Sequence, residues 1–152
     1  MMMTEIPALV CRPQPYEDES LQSYLMRVQM SNGYEHLNWL TGWMRSMTGI
    51  PVPNRLNSTR SIPYLEGLAR ATRLPVLDVH SMTLNRYIPV MTAPEIPVKF
   101  ETTSSGDVLP VFARTKLTGR WVRSDKSSAF CPACLHEAPY HRLPWLLGPV
   151  FG

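Results

Sequence analysis

Two cysteines, Cys131 and Cys134, are the residues best placed to do chemistry in this sequence. They are separated by two residues, and at that spacing both sulfurs can reach one metal ion and supply half of a tetrahedral zinc site. His141 could reach the same site, whereas His136 follows Cys134 too closely to bind easily beside it. The sequence therefore predicts zinc in an incomplete site. Its role would be structural, because nothing nearby supplies an acid, a base and an open coordination position together.

The cysteine pair has two other interpretations. A redox pair needs its first cysteine at the start of a helix in a thioredoxin-like unit. Here Pro132 lies between the cysteines and a proline-rich segment follows, which predicts no helix. Two thiols without a function are the remaining alternative. Elsewhere the sequence contains no nucleophile–base pair, glycine-rich phosphate loop or carboxylate pair, so we predict that the protein is not an enzyme.

The composition is that of a small globular protein. The chain has 152 residues with 44% hydrophobic and 18% charged side chains, which fits one folded domain, with room for a small appended module, and excludes a disordered chain. Three cysteines without an apolar signal segment, and no run long enough to span a membrane, predict a reduced cytoplasmic location. A net charge of +3 permits contact with nucleic acid but does not by itself argue for it.

Residues 19–90 are predicted to form a helical domain, preceded by an extended arm over residues 1–18. Ser20 is a suitable N-cap for the first helix, and Asn32-Gly33 supplies a left-handed stop. Arg27 lies next to the apolar face of this helix, either as a surface cation or as the anchor of a nearby carboxylate.

A second apolar series, from His36 to Met47, places two tryptophans and two methionines on one helical stripe. This pattern favours core packing over a partner-binding face. Two further helices, over residues 63–72 and 75–84, follow a cap at Ser61 and resemble a helix-turn-helix pair. The second of them lacks Arg, Lys, Asn and Gln, the side chains best suited to base edges. We therefore favour a protein contact or a scaffold role for it over sequence reading.

Residues 91–128 are predicted to form a linker and a β-hairpin that carries a basic segment. Alternation predicts a strand over residues 98–102, a turn over 104–107 and a return strand over 108–112, which Pro110 confines to a sheet edge. The basic segment interleaves cations with an aromatic ring, which suits a nucleic-acid backbone as well as a solvated loop. The predicted nucleic-acid or partner-binding residues are Arg70, Arg73, Arg86, Arg114, Lys116, Arg120, Trp121, Arg123 and Lys126.

Two segments carry a resemblance to a known family. The run Cys131-Pro132-x-Cys134-Leu135-x-Glu137-x-Pro139-Tyr140-x-Arg142-x-x-Trp145 resembles the first zinc knuckle of the TniQ family. The run Glu19-Ser20-Leu21-x-Ser23, with Arg27 after it, is similar to the opening of that family. In the family a Cys-x2-His pair follows the tryptophan, and here that pair would fall just past Gly152. We therefore expect residues 129–152 to be half a zinc-finger knuckle in a chain that is cut short.

The resemblance implies a mainly α fold, with an incomplete zinc ribbon after the helical domain and the hairpin. TniQ proteins are targeting proteins of prokaryotic DNA transposons, including CRISPR-associated ones. The implied function is an adaptor between a target-recognition complex and an AAA+ transposition regulator. That complex would be a CRISPR Cascade-type effector with its guide RNA or another target-recognition protein. DNA backbone contacts and a homodimer are left open, and no membrane partner is expected. The alternative function is a stand-alone helix-turn-helix DNA-binding regulator.

Overall fold

The computed structural model describes residues 5–59, 61–90, 97–113 and 132–147. The fold is mainly helical, with one small two-stranded sheet. In chain order the helices and strands are α1 (Leu21–Ser31), α2 (Leu37–Thr48), α3 (Ile62–Thr72), α4 (Val76–Ser81), β1 (Val98–Thr102), β2 (Val108–Phe112) and α5 (Pro132–Glu137). Short 3₁₀ turns cover Leu56–Ser58, Leu84–Val90 and Leu143–Leu146. No helix in these ranges is long and apolar enough to cross a membrane.

Capping residues set the helix ends, largely as the sequence predicts. The Ser20 hydroxyl accepts the Ser23 N–H at 3.3 Å, and the Ser61 hydroxyl accepts the Tyr64 N–H at 3.4 Å. Each bond satisfies an amide that has no partner inside its helix. At the end of α2, Gly49 takes the left-handed conformation at φ +69°, which glycine adopts without strain.

The core is built from one face of each of the first three helices. Leu25 of α1, Met44 of α2 and Leu65 of α3 are fully buried in it. A methyl group added to Gly67 would lie 2.9 Å from the terminal carbon of Met44, so α2 and α3 approach closely at this glycine. The apolar face predicted for α1 is therefore the face that the structure buries.

The aromatic stripe of α2 divides between the core and the surface. Leu40 is buried, whereas Trp39 and Trp43 are half-buried at the margin of the core, and His36 is exposed. The ring of Tyr34 stacks on Trp39 with 3.7 Å between ring centroids, and Trp39 lies 6.2 Å from Trp43. Core packing thus describes only part of this stripe.

The hairpin forms where alternation places it. β1 and β2 pair antiparallel, with Val98 opposite Phe112 and Thr102 opposite Val108. The turn is fixed to α3, because the Glu66 carboxylate accepts the Ser104 N–H at 2.7 Å and its hydroxyl at 2.6 Å. The hairpin is therefore docked on the helical domain.

A buried asparagine joins three segments through hydrogen bonds that the sequence does not predict. The Asn85 side chain donates to the carbonyl of Thr59 at 2.7 Å and accepts the Phe112 N–H at 3.1 Å. Asn85 is completely buried, so these bonds satisfy amide groups that water does not reach. A polar residue in an apolar run would ordinarily be assigned to the solvent side.

Two helix predictions are wrong in detail. The helix predicted over residues 75–84 ends at Ser81, because the Thr83 hydroxyl and N–H both donate to the His80 carbonyl and tighten the turn. A helix also follows the first cysteine, contrary to expectation. Pro132 stands at the first position of α5, where a missing N–H costs nothing, so this proline starts a helix instead of preventing one.

Candidate functional site

The two segments that resemble TniQ lie far apart in the sequence and meet in space. The Ser20 N–H donates to the His141 carbonyl at 2.9 Å, and the Leu143 N–H donates to the Asp18 carbonyl at 2.6 Å. Glu19 and Arg142 form an antiparallel bridge between these bonds. We call the contact between residues 16–27 and residues 140–145 the arm–tail junction.

A buried carboxylate organises the arm side of the junction. Both Glu19 oxygens accept from the Arg27 guanidinium at 2.8 Å, and they also accept the Tyr16 N–H at 3.0 Å and the Ser23 hydroxyl at 3.2 Å. The Glu19 side chain is fully buried. Its negative charge is compensated by the two hydrogen bonds from the Arg27 guanidinium. The hydrogen bonds that Arg27 donates to Glu19 raise the pKa of Arg27. Arg27 is therefore the anchor of a carboxylate, one of its two predicted roles.

Stacked rings and cations join the arm to the tail. The Arg27 guanidinium carbon lies 4.2 Å from the Tyr16 ring centroid, and Tyr16 stacks on Tyr140 with 4.6 Å between centroids. On the tail side, Arg142 lies 5.1 Å from the Tyr140 centroid. The hydroxyl of Tyr140 donates to the Glu17 carbonyl at 3.0 Å. Cation–π and stacking contacts of this kind add to the burial of the rings themselves.

His141, a candidate zinc ligand, is part of this junction. Its backbone N–H donates to the Ser23 hydroxyl at 3.1 Å, and its ring Nδ1 lies 3.3 Å from the Ser20 hydroxyl. The ring packs edge-on against Trp145. Burial lowers the pKa of His141, because a charged imidazole would lose its water here. Through these contacts His141 is a packing residue of the arm–tail junction.

The described residues do not by themselves make a zinc site. Cys134 is half-buried on α5, and Cys131 lies outside the described residues. Within the described ranges no group of three or more His, Cys, Asp or Glu side chains is placed to hold a metal ion. Zinc binding by the cysteine pair stays a prediction from the sequence.

We expect this chain to bind zinc weakly, because two thiolates leave half of the tetrahedral set open and forfeit most of the binding energy of a complete site. The measurement is the metal content of the purified chain after dialysis against a chelator. The control is the Cys131→Ser/Cys134→Ser double variant. A full equivalent of zinc retained by the parent chain and lost by the control would contradict the prediction and show that other residues complete the site.

The predicted cationic residues fall into three groups. Arg70 is half-buried in the last turn of α3, and Arg73 is exposed at the C-cap of that helix with a φ of +58°. Arg86 forms an ion pair with Asp18 of the arm at 3.0 Å, so its charge is partly compensated. The remaining predicted residues lie outside the described ranges, namely Arg114, Lys116, Arg120, Trp121, Arg123 and Lys126.

The α3–α4 pair offers few side chains for reading bases. A joint of three residues separates the helices, but α4 has only six residues. Val79 is buried in the core, and His80 is buried with its Nε2 2.8 Å from the Pro110 carbonyl. Leu77 and Asp78 are left exposed, an apolar and an acidic side chain. Neither is suited to donate to base edges or phosphates.

Comparison with known proteins assigns the family. A family model described as TniQ matches residues 10–152, a range that includes both sides of the arm–tail junction. The chain therefore belongs to the TniQ family. Proteins of this family are transposition-associated targeting proteins, and the family is not a known family of enzymes. No curated protein and no solved structure matches the chain significantly.

Proposed function

We propose that this chain is a transposition targeting adaptor that links a target-recognition complex to the AAA+ transposition regulator. The target-recognition complex is a CRISPR Cascade-type effector with its guide RNA or a DNA-bound protein. Family membership supports the role in transposition. The observation that favours an adaptor over a DNA reader is the exposed surface of α4, which carries Leu77 and Asp78.

Cations at the end of α3 support contact with a phosphate backbone but not sequence reading. Arg70 and Arg73 have no ion-pair partner among the described residues, and both lie at the helix end where cations are favoured. A cation at such a place attracts phosphates of any sequence. DNA contact by this protein is therefore weak and independent of sequence.

The adaptor acts by holding two partner surfaces on one body. Occupying both surfaces at once raises the effective concentration of the transposition machinery at the target, and no chemical step is needed. The partly exposed aromatic stack of Trp39 and Trp43 on α2, with Tyr34 just before the helix, supports one protein-contacting surface, because aromatic residues are enriched at such interfaces. A structural zinc site at Cys131 and Cys134, completed by further ligands, belongs to the same proposal.

The experiment measures DNA binding and assembly side by side. We expect the isolated chain to bind duplexes of different sequence equally weakly, with affinity falling as salt rises. We expect it to co-purify with the target complex and the AAA+ regulator. Arg73→Glu is expected to weaken DNA contact. Arg45→Glu, the same charge reversal at an exposed residue of α2, is the matched control and should leave DNA contact unchanged.

Nanomolar, sequence-selective binding of DNA by the isolated chain at physiological salt would contradict the adaptor function and favour the stand-alone helix-turn-helix regulator. The three-residue joint between α3 and α4 is the feature that supports this alternative. Failure to co-purify with either partner would also count against the adaptor.

A further inference from the structure

Asp18 adopts a backbone conformation that residues other than glycine rarely take. Its φ is +59°, and among the residues that the structure describes Arg73 is the other non-glycine residue with a positive φ. This left-handed region is unfavourable for most L-residues, although aspartate and asparagine tolerate it better than other types. The arm–tail junction holds the conformation, because the Asp18 carbonyl accepts the Leu143 N–H at 2.6 Å and the next residue, Glu19, is buried. The surrounding fold therefore sets the position of Asp18.

The Asp18 carboxylate pairs with an arginine whose backbone is also held in place. Its Oδ1 lies 3.0 Å from Nη1 of Arg86. The Arg86 N–H donates to the Thr83 carbonyl at 3.1 Å, and the preceding residue, Asn85, is completely buried. The backbones of both partners are thus fixed by their neighbours, which keeps the two side chains within reach of each other.

This ion pair contributes little to the stability of the fold. The Arg86 and Asp18 side chains are 41% and 35% exposed. Ion pairs open to water contribute little, because solvent screens them and holding two side chains in one geometry costs entropy. Asparagine or glycine would fit the left-handed backbone at least as well as aspartate. What aspartate adds at this position is therefore its negative charge, placed beside a cation.

That cation, Arg86, is one of the residues predicted from the sequence to contact nucleic acid. A guanidinium binds carboxylate and phosphate oxygens through the same N–H donors. The Asp18 carboxylate therefore occupies a donor that a phosphate would need. Arg70 and Arg73, by contrast, have no ion-pair partner among the described residues. Within that part of the chain, Arg86 is the predicted cation whose charge the protein itself compensates.

We propose that Arg86 is an anion-binding site for a phosphate of duplex DNA, and that Asp18 is an internal competitor for this site. A phosphate has to displace the Asp18 carboxylate before Arg86 can bind it, so the arm lowers the affinity of the free chain for DNA. Arg86 then contributes to DNA contact only where other contacts supply the free energy that separates it from Asp18. This inference rests on the DNA backbone contact proposed above and names a residue that weakens it.

The test measures the binding of a fluorescently labelled DNA duplex to the full chain at several salt concentrations. Asp18→Asn removes the charge and keeps a residue type suited to the left-handed backbone. It should bind the duplex about twofold to fivefold more tightly than the parent, the factor that corresponds to the loss of an exposed ion pair. The slope of log affinity against log salt concentration should become steeper by about 0.9, because one more phosphate is neutralised.

Two further variants separate the release of Arg86 from a general change of charge. Glu17→Gln removes the same charge from an exposed neighbour and should leave the salt slope unchanged. Adding Arg86→Gln to Asp18→Asn should abolish the gain in affinity, because the freed guanidinium is its cause. Circular dichroism of each variant confirms that it is folded. An Asp18→Asn variant that binds no more tightly than Glu17→Gln, or a gain that survives Arg86→Gln, would overturn the proposal.

The Arg73→Glu variant distinguishes a failure of this inference from a failure of the proposed DNA contact. If Arg73→Glu weakens binding while Asp18→Asn has no effect, the DNA contact stands and the competing role of Asp18 is wrong. If neither substitution changes binding, the proposed DNA contact fails as well.

Discussion

Leu25→Asp is expected to abolish the folded state, whereas Trp39→Asp is expected to leave a folded but less stable protein. Leu25 is completely buried between the helices, so the new carboxylate would lose its water without gaining a partner. That cost of several kcal/mol is a large part of the 5–15 kcal/mol that stabilises a typical domain. Trp39 lies half-buried at the margin, where a charge keeps access to water. Far-UV circular dichroism and thermal melting measure both effects.

The control for this pair is Leu25→Met, which keeps the volume of the side chain and should cost less than about 1.5 kcal/mol. If Leu25→Asp melted like the parent, the apolar face of α1 would not be the interior. If Trp39→Asp unfolded the chain as completely as Leu25→Asp, the α2 stripe would be core throughout and not available to a partner.

Glu19→Gln is expected to lower the free energy of unfolding by about 3–5 kcal/mol, the usual cost of removing one member of a buried ion pair. The amide has nearly the same shape, so the loss reports the charge and its hydrogen bonds. It leaves the Arg27 guanidinium beside a neutral group and replaces one acceptor oxygen with a donor. Urea denaturation measures the change: the midpoint concentration of urea should fall, while the dependence of the unfolding free energy on urea concentration stays the same.

Two further variants show whether pairing is the cause. Glu17→Gln removes the same charge from an exposed neighbour and should change stability by less than about 0.5 kcal/mol. The Glu19→Leu/Arg27→Leu double variant should be more stable than Glu19→Leu alone, because no unpaired charge is then left. A double variant no more stable than Glu19→Leu would show that packing, and not the ion pair, governs this site.

The elements that the sequence predicts well are those whose signals are local. Ser20 and the apolar spacing of α1 lie within about three turns of one helix, and the alternation of β1 and β2 lies within a single hairpin. Each signal is read over a few residues, so no knowledge of the rest of the chain is needed. The end of α4 at Ser81 depends instead on the Thr83 side chain, which periodicity does not register.

The arm–tail junction could be predicted only in its parts. The resemblance singles out Glu19, Arg27 and Tyr140 without indicating that their segments touch. Stacking of Tyr16 on Tyr140 is a tertiary contact, and no spacing rule links residues so distant. The same holds for Asn85, whose partners Thr59 and Phe112 lie 26 and 27 residues away in the sequence. Residue types suggest what such groups can bind, but only the fold determines what they meet.

The arm–tail junction also bears on the order in which the protein folds. Its side-chain hydrogen bonds join residues 118 to 123 positions apart. Contacts of such long sequence separation must first overcome the entropy of closing the intervening chain, and they slow folding. During synthesis the N-terminal helices are complete long before Tyr140 and His141 leave the ribosome. Until then the ring of Tyr16 lacks its stacking partner, and the backbone of residues 18–20 lacks its hydrogen bonds to residues 141–143. The start of the helical domain is therefore completed only when this later segment has been synthesised.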